Sequence, residues 1–102
     1  MTGAVIAISG NTLSISGELD FESVVEVDIQ GQQWLNDSAS AQCEIDLAGV
    51  TYCSSVGIAL VLGWMRVAKN LAKTLSIKNI PADMLALAHV SGLDTVLTAQ
   101  HA

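Results

Sequence analysis

The period of apolar and polar positions changes several times along the chain, and each change marks an element. Ala4-Val5-Ile6-Ala7-Ile8 is a short apolar run that reads as a strand, and Gly10-Asn11 follows it as a turn signal. Leu13-Ser14-Ile15-Ser16-Gly17 alternates apolar with polar, which predicts a second strand hairpin-paired with the first. Asp20 is a good N-cap for a helix from Phe21 to about Leu35, where Phe21, Val25 and Ile29 recur at helical spacing beside Val24. Asn36-Asp37-Ser38 ends it. Cys43 to Leu47 reads as a third, central strand that runs into a loop of small residues.

A second helix is expected from Ser55 to about Lys73. Thr74-Leu75-Ser76-Ile77-Lys78 alternates again as a fourth strand. Pro81 suits the first position of a third helix and Gly92 its C-terminal stop. Residues 93–97 add a short strand or a helical turn. The order β-β-α-β-α-β-α predicts an α/β domain, a small mixed β-sheet covered by helices.

The second helix separates into two faces at 3.6 residues per turn. Ile58, Leu60, Val61, Trp64, Met65, Val67, Ala68, Leu71 and Ala72 spread over a broad side expected to be core, with Trp64 near its edge. Ser55, Ala59, Leu62, Arg66, Lys69 and Lys73 gather on the other, flanked by Gly63 and Asn70. A hydroxyl, a basic stripe and an apolar Leu share this face, which is either an ordinary solvated helix face with its cations well placed against the helix dipole or a surface on which a partner helix or loop docks.

Composition narrows the class. The chain has 102 residues, which fits a single domain over 1–102. Apolar residues make up 51% and charged residues 14%, so disorder is not expected, and 4% aromatic content makes the core aliphatic. Met1 to Gly10 lacks the basic start and long apolar run of a secretory leader. The run from Val56 to Met65 is far short of the ~20 residues of a membrane span, so a soluble chain without its own anchor is expected. Cys43 and Cys53 are expected to be reduced thiols in the cytoplasm.

The net charge of −6 is unevenly placed. Glu18, Asp20, Glu22, Glu26, Asp28, Asp37, Glu44 and Asp46 precede any Lys or Arg, and all four basic residues lie between Arg66 and Lys78. Such a chain is a poor nucleic-acid binder; its asymmetry is either ordinary solvated surface or suits a protein partner with a charge pattern of its own.

Three roles are open to Ser55 at the start of the second helix. It caps the helix, it contacts a protein partner, or it is phosphorylated. A phosphate there meets helix N–H groups that have no internal acceptor, and adds about −1.5 to −2 charges to the docking face.

The stretch from Asp46 to Leu60 resembles the signature of STAS domains: Asp46, Leu47, Val50, Ser55, Gly57, Ile58 and Leu60 match it. Val90-Ser91-Gly92-Leu93 is similar to a common STAS ending. The family includes anti-sigma factor antagonists, sulfate-transporter tails, stressosome subunits and the small cytoplasmic subunit of the bacterial Mla phospholipid transporter. The resemblance places Ser55 at the family's phosphorylatable Ser/Thr and Gly57 at its helix-start glycine. Ser54 stands where an acidic residue usually precedes the hydroxyl, and Val56 where a small residue follows it.

These departures favour the MlaB-like transporter subunit over a phospho-switched antagonist. The resemblance then implies a non-enzymatic accessory subunit of an ABC-type phospholipid transporter that maintains outer-membrane lipid asymmetry. It would bind the ATPase subunit, with the permease in a membrane complex, through Ser54, Ser55, Gly57, Ala59, Leu62, Arg66 and Lys69. It would lie in the cytoplasm, held at the inner membrane by that complex. The alternative is an anti-sigma factor antagonist switched at Ser55 by an anti-sigma factor kinase.

Catalysis and cofactors are not expected. Ser54-Ser55-Val56-Gly57 is half of a nucleophile elbow, with Cys53 where the first Gly belongs. Cys43, Cys53, His89 and His101 match no usual zinc spacing. No Gly-rich phosphate loop with a Lys is present.

Overall fold

The computed structural model describes residues 3–37, 41–90 and 92. Seven elements follow in order: β1 (Ala4–Ser9), β2 (Thr12–Leu19), α1 (Val24–Asp37), β3 (Gln42–Cys53), α2 (Ser55–Asn70), β4 (Thr74–Lys78) and α3 (Ala82–Val90). This is the expected order. Residues 93–97, Ser38 and His101 lie outside the described residues.

The four strands form one sheet in the order β1-β2-β3-β4. The hairpin closes with Ser9 opposite Thr12, and Gly10 takes the left-handed conformation at φ 58 that the two-residue turn needs at its first position. β2 pairs parallel with β3, and β3 with β4, so the sheet is mixed. Alternation decides its faces. Leu13, Ile15, Ile45, Leu47, Leu75 and Ile77 are buried under the helices. The other face carries polar side chains: the Thr12 hydroxyl donates to Glu44 at 3.0 Å, and Lys78 lies 3.1 Å from Glu44. Lys78 first, then Thr12, holds the Glu44 carboxyl below the usual carboxylate range.

Several expectations are corrected. The residues after Leu47 are strand, not loop: β3 continues to Cys53. Its second half pairs with β2 through two register shifts, which is why residues 48–53 show no simple alternation. A Cβ at Gly49 would stand 2.6 Å from the Ser16 Cβ, so this pairing requires a glycine.

The first helix begins at Val24, not Phe21. Asp20 does cap, accepting from the Glu22 and Ser23 N–H groups at 3.0 and 2.9 Å, but it closes a turn over residues 21–23 first. The Ser23 hydroxyl donates to the Glu18 carbonyl at 2.6 Å and ties that turn to β2. The buried face of α1 is Val27, Gly31, Trp34 and Leu35. Phe21, Val25 and Ile29 are instead 73%, 62% and 48% exposed.

The second helix ends at Asn70, so Lys73 leaves the basic stripe, and its ammonium donates to the Leu35 carbonyl near the end of α1. Trp64 is fully buried, not marginal, whereas Leu71 and Ala72 are exposed. The Lys73 N–H donates to the Ala68 carbonyl at 2.8 Å and the Ala72 N–H to that of Lys69 at 3.1 Å, the two bonds of a Schellman motif. Ala72 occupies its left-handed position at φ 57, where a Cβ is unfavourable. Ala72→Gly is therefore expected to stabilise the fold by about 1 kcal/mol, measured as a raised urea midpoint with an unchanged slope.

The third helix starts just after Pro81, whose carbonyl accepts the Leu85 N–H at 3.0 Å. Gly92, at φ 74, donates to the His89 carbonyl at its end. No helix among the described residues is long and apolar enough to cross a membrane.

Candidate functional site

The strand-to-helix junction after β3 is held from below. Ser54 is extended (φ −90, ψ 179) and occupies the N-cap position, one residue before the place Ser55 would need in order to cap. Its N–H and its hydroxyl both donate to the Leu19 carbonyl, at 3.0 and 3.3 Å. The Ser54 side chain is thereby committed to the end of β2 and does not cap the helix. Ser55 becomes the first helical residue, and it is exposed. Its hydroxyl projects where the leading N–H groups of α2 and the positive end of the helix dipole meet solvent.

Gly57 is buried directly beneath. A Cβ there would stand 2.5 Å from the Cys53 sulfur and 3.4 Å from the Leu19 Cβ. Its missing side chain lets the first turn of α2 rest on the ends of β2 and β3, so Gly57 positions the surface without forming it. Ala59, Arg66 and Lys69 are exposed along α2 and share a face with Ser55. Leu62 is half-buried and packs against the core, so it is a weaker contact candidate than its place on the wheel suggested.

Beside that face runs a groove of about 460 Å³ between α1 and α2. Val24, Val25 and Ile29 form one wall and Val56, Ala59 and Gly63 the other, with Asp28 reaching into it. The two helices are locked below the groove: the Trp64 indole N–H donates to Asp28 at 3.1 Å, and Gly31 lies flat against the Trp64 ring. Sequence reasoning assigned Phe21, Val25 and Ile29 to a helical apolar stripe without seeing that this stripe faces outward. The signal available was the second stripe, Val27, Gly31, Trp34 and Leu35, which carries the largest side chain, Trp34.

The cysteines stand at opposite ends of β3, both free and buried. Burial pushes the Cys53 thiol up to about 11, with Asp83 adding to the effect, so it is a packing residue rather than a nucleophile. Burial likewise raises the Cys43 thiol against the opposing charge of Lys73. Asp83, at the start of α3, lines a depression with Tyr52 and Cys53, which leaves His89 at the other end of that helix. The structure therefore brings a hydroxyl, helix N–H groups, two cations and an apolar groove close to one another.

The family model described as "Mlab, STAS domain" matches residues 4–98. No curated protein sequence matches significantly. Among solved structures, the anti-sigma factor antagonist SpoIIAA in its unphosphorylated form is 20% identical, with a TM-score of 0.72 over 97% of this chain and 88% of that one. The Bacillus cell fate determinant SpoIIAA in the phosphorylated form is 22% identical, with a TM-score of 0.69 over 97% and 91%. An anti-sigma factor antagonist from Mycobacterium paratuberculosis is 19% identical, with a TM-score of 0.68 over 94% and 82%. These likenesses show the fold alone; the family match over nearly all the chain shows that this protein belongs to the STAS domain family, in its MlaB-like branch.

Proposed function

We propose that the chain is a non-enzymatic accessory subunit of an ABC-type phospholipid transporter, docking on the transporter's cytoplasmic ATPase. The match to the MlaB-like branch carries this reading. STAS domains are protein-interaction modules, and the contact surface described above suits that role. Ser55, Ala59, Arg66 and Lys69 form its exposed centre, Ser54 and Gly57 set its height, and Leu62 braces it from the core side. Location at the inner membrane follows from the complex.

Ser55→Glu places a carboxylate in the middle of that surface, and Ala59→Arg adds bulk and charge beside it. Both positions are exposed, so the fold should survive, whereas Leu62→Asp would also disturb packing. Each variant is expected to weaken binding to the purified ATPase by at least tenfold in calorimetry, with an unchanged melting temperature. Wild-type affinity in both variants would sink the proposal.

A second reading is favoured by one observation. Ser55 is exposed at the helix N-terminus, a position suited to a phosphate, and SpoIIAA has been seen in phosphorylated and unphosphorylated forms. In this reading the chain is an anti-sigma factor antagonist whose kinase partner modifies Ser55. Phosphopeptide mapping after incubation with that kinase and ATP decides between the two.

A further inference from the structure

We infer that the groove between α1 and α2 is a seat for one amphipathic helix of a protein partner, cationic along its α1-facing flank and acidic along its α2-facing flank. The inference deepens the docking reading above and rests on its claim that this side of the molecule meets a protein.

The first argument is the placement of apolar side chains. Val25 and Ile29, one turn apart on α1, line the groove with Val24 and are 62% and 48% exposed. Across the groove, Val56, Ala59 and Gly63 continue an apolar wall at helical spacing. Two roughly parallel apolar ridges separated by a groove accept a third helix, with its own ridge lying between them.

The second argument is Gly63. Glycine inside a helix is less stable than alanine by about 1 kcal/mol. Gly31 and Gly57 have internal reasons, since a Cβ at either would collide with a buried neighbour. At Gly63 a Cβ meets no described atom within 4 Å. The described chain makes no use of the missing side chain, whereas an occupant of the groove does: its backbone can approach α2 closely at this point.

The third argument is charge, and it selects the occupant. On the α1 side Asp28 lines the groove, and α1 contains no basic residue. On the α2 side Arg66 is exposed about one turn beyond Gly63. A helix with Lys or Arg on one flank and Asp or Glu on the other pairs with both rims, and reversing its flanks sets like charges together. A lipid or a uniformly acidic peptide meets the wrong sign on one rim.

The test is photo-crosslinking of the full chain in its own cells, with p-benzoylphenylalanine replacing Val25 or Gln32, both exposed on the groove. Adducts from both positions are expected to map by mass spectrometry to one partner segment with helical apolar spacing and the two charged flanks. Adding Gly63→Leu, which fills the groove from an open position, should cut the adduct yield at least tenfold while the protein stays folded. Ile29→Asp serves the same purpose should Gly63→Leu fail to fold. A matching segment within the ABC ATPase supports both readings. A matching segment in another protein supports the groove and removes the transporter assignment. Adducts to residues 93–102 of this chain, to a second copy, to lipid or to a segment without that pattern overturn the inference. So do an absence of adducts and a yield indifferent to the groove-filling variants.

Discussion

Gly31→Ala is expected to lower the stability of the fold by about 2–3 kcal/mol, a fall in melting temperature of roughly 10–15 °C. The added Cβ would lie 2.2 Å from Trp64 Cζ2 and 2.4 Å from Cε2. The ring cannot yield easily, because it is fully buried and its N–H is held by Asp28. The better helix propensity of alanine returns only about 1 kcal/mol, so the clash wins. The diagnostic measurement is a double-mutant cycle. Trp64→Leu alone should destabilise by about 3 kcal/mol, through the cavity it leaves. In that background Gly31→Ala should be neutral or stabilising, since its methyl enters vacated space. Additive effects in urea denaturation would show that α1 and α2 do not meet through this pair.

Gly57→Ala is expected to act on stability and on partner binding together. Its Cβ presses on Cys53 and Leu19, both buried, so the first turn of α2 must lift from the strand ends. Overpacking of this kind costs about 2 kcal/mol. The lift also displaces Ser55 two residues upstream, so affinity for the ATPase proposed above as partner should fall at least tenfold even where the protein is fully folded. Cys53→Ala removes the nearest obstructing atom, and the pair Gly57→Ala with Cys53→Ala should recover both properties in large part. A binding loss that persists in the stable double variant would assign Gly57 a direct contact, against its burial.

The sequence's element types and order were legible because most segments have one clean period. β4 is the clearest case: its five alternating residues are bounded as expected. Where two patterns overlap, local information does not decide. Residues 21–35 carry two apolar stripes, and only docking against Trp64 selects the one containing Gly31 and Trp34. The extension of β3 was hidden because its second half is defined by pairing with β2 through register shifts, a non-local property.

The site was legible in part for similar reasons. Helical periodicity grouped Ser55, Ala59, Arg66 and Lys69 on one face, which local geometry alone is enough to do. It did not reveal that Ser54 spends its hydroxyl on Leu19, that Leu62 leans into the core, or that α1 supplies the second wall of a groove. Each of these depends on a residue more than 30 positions away or on a neighbouring element.

The strands lie across the sheet in the same sequence as they occur in the chain. The sheet can therefore be laid down in one direction as the polypeptide leaves the ribosome, with each new strand joining the last edge formed. The hairpin forms from neighbours within the first 19 residues, and β3 and β4 each arrive with a completed helix behind them or ahead of them. Among the described residues no strand has to be inserted between two already paired, so no early pairing among them must be undone. A chain built this way exposes one growing edge at a time during synthesis, which limits the interval in which its aliphatic strands are open to other chains.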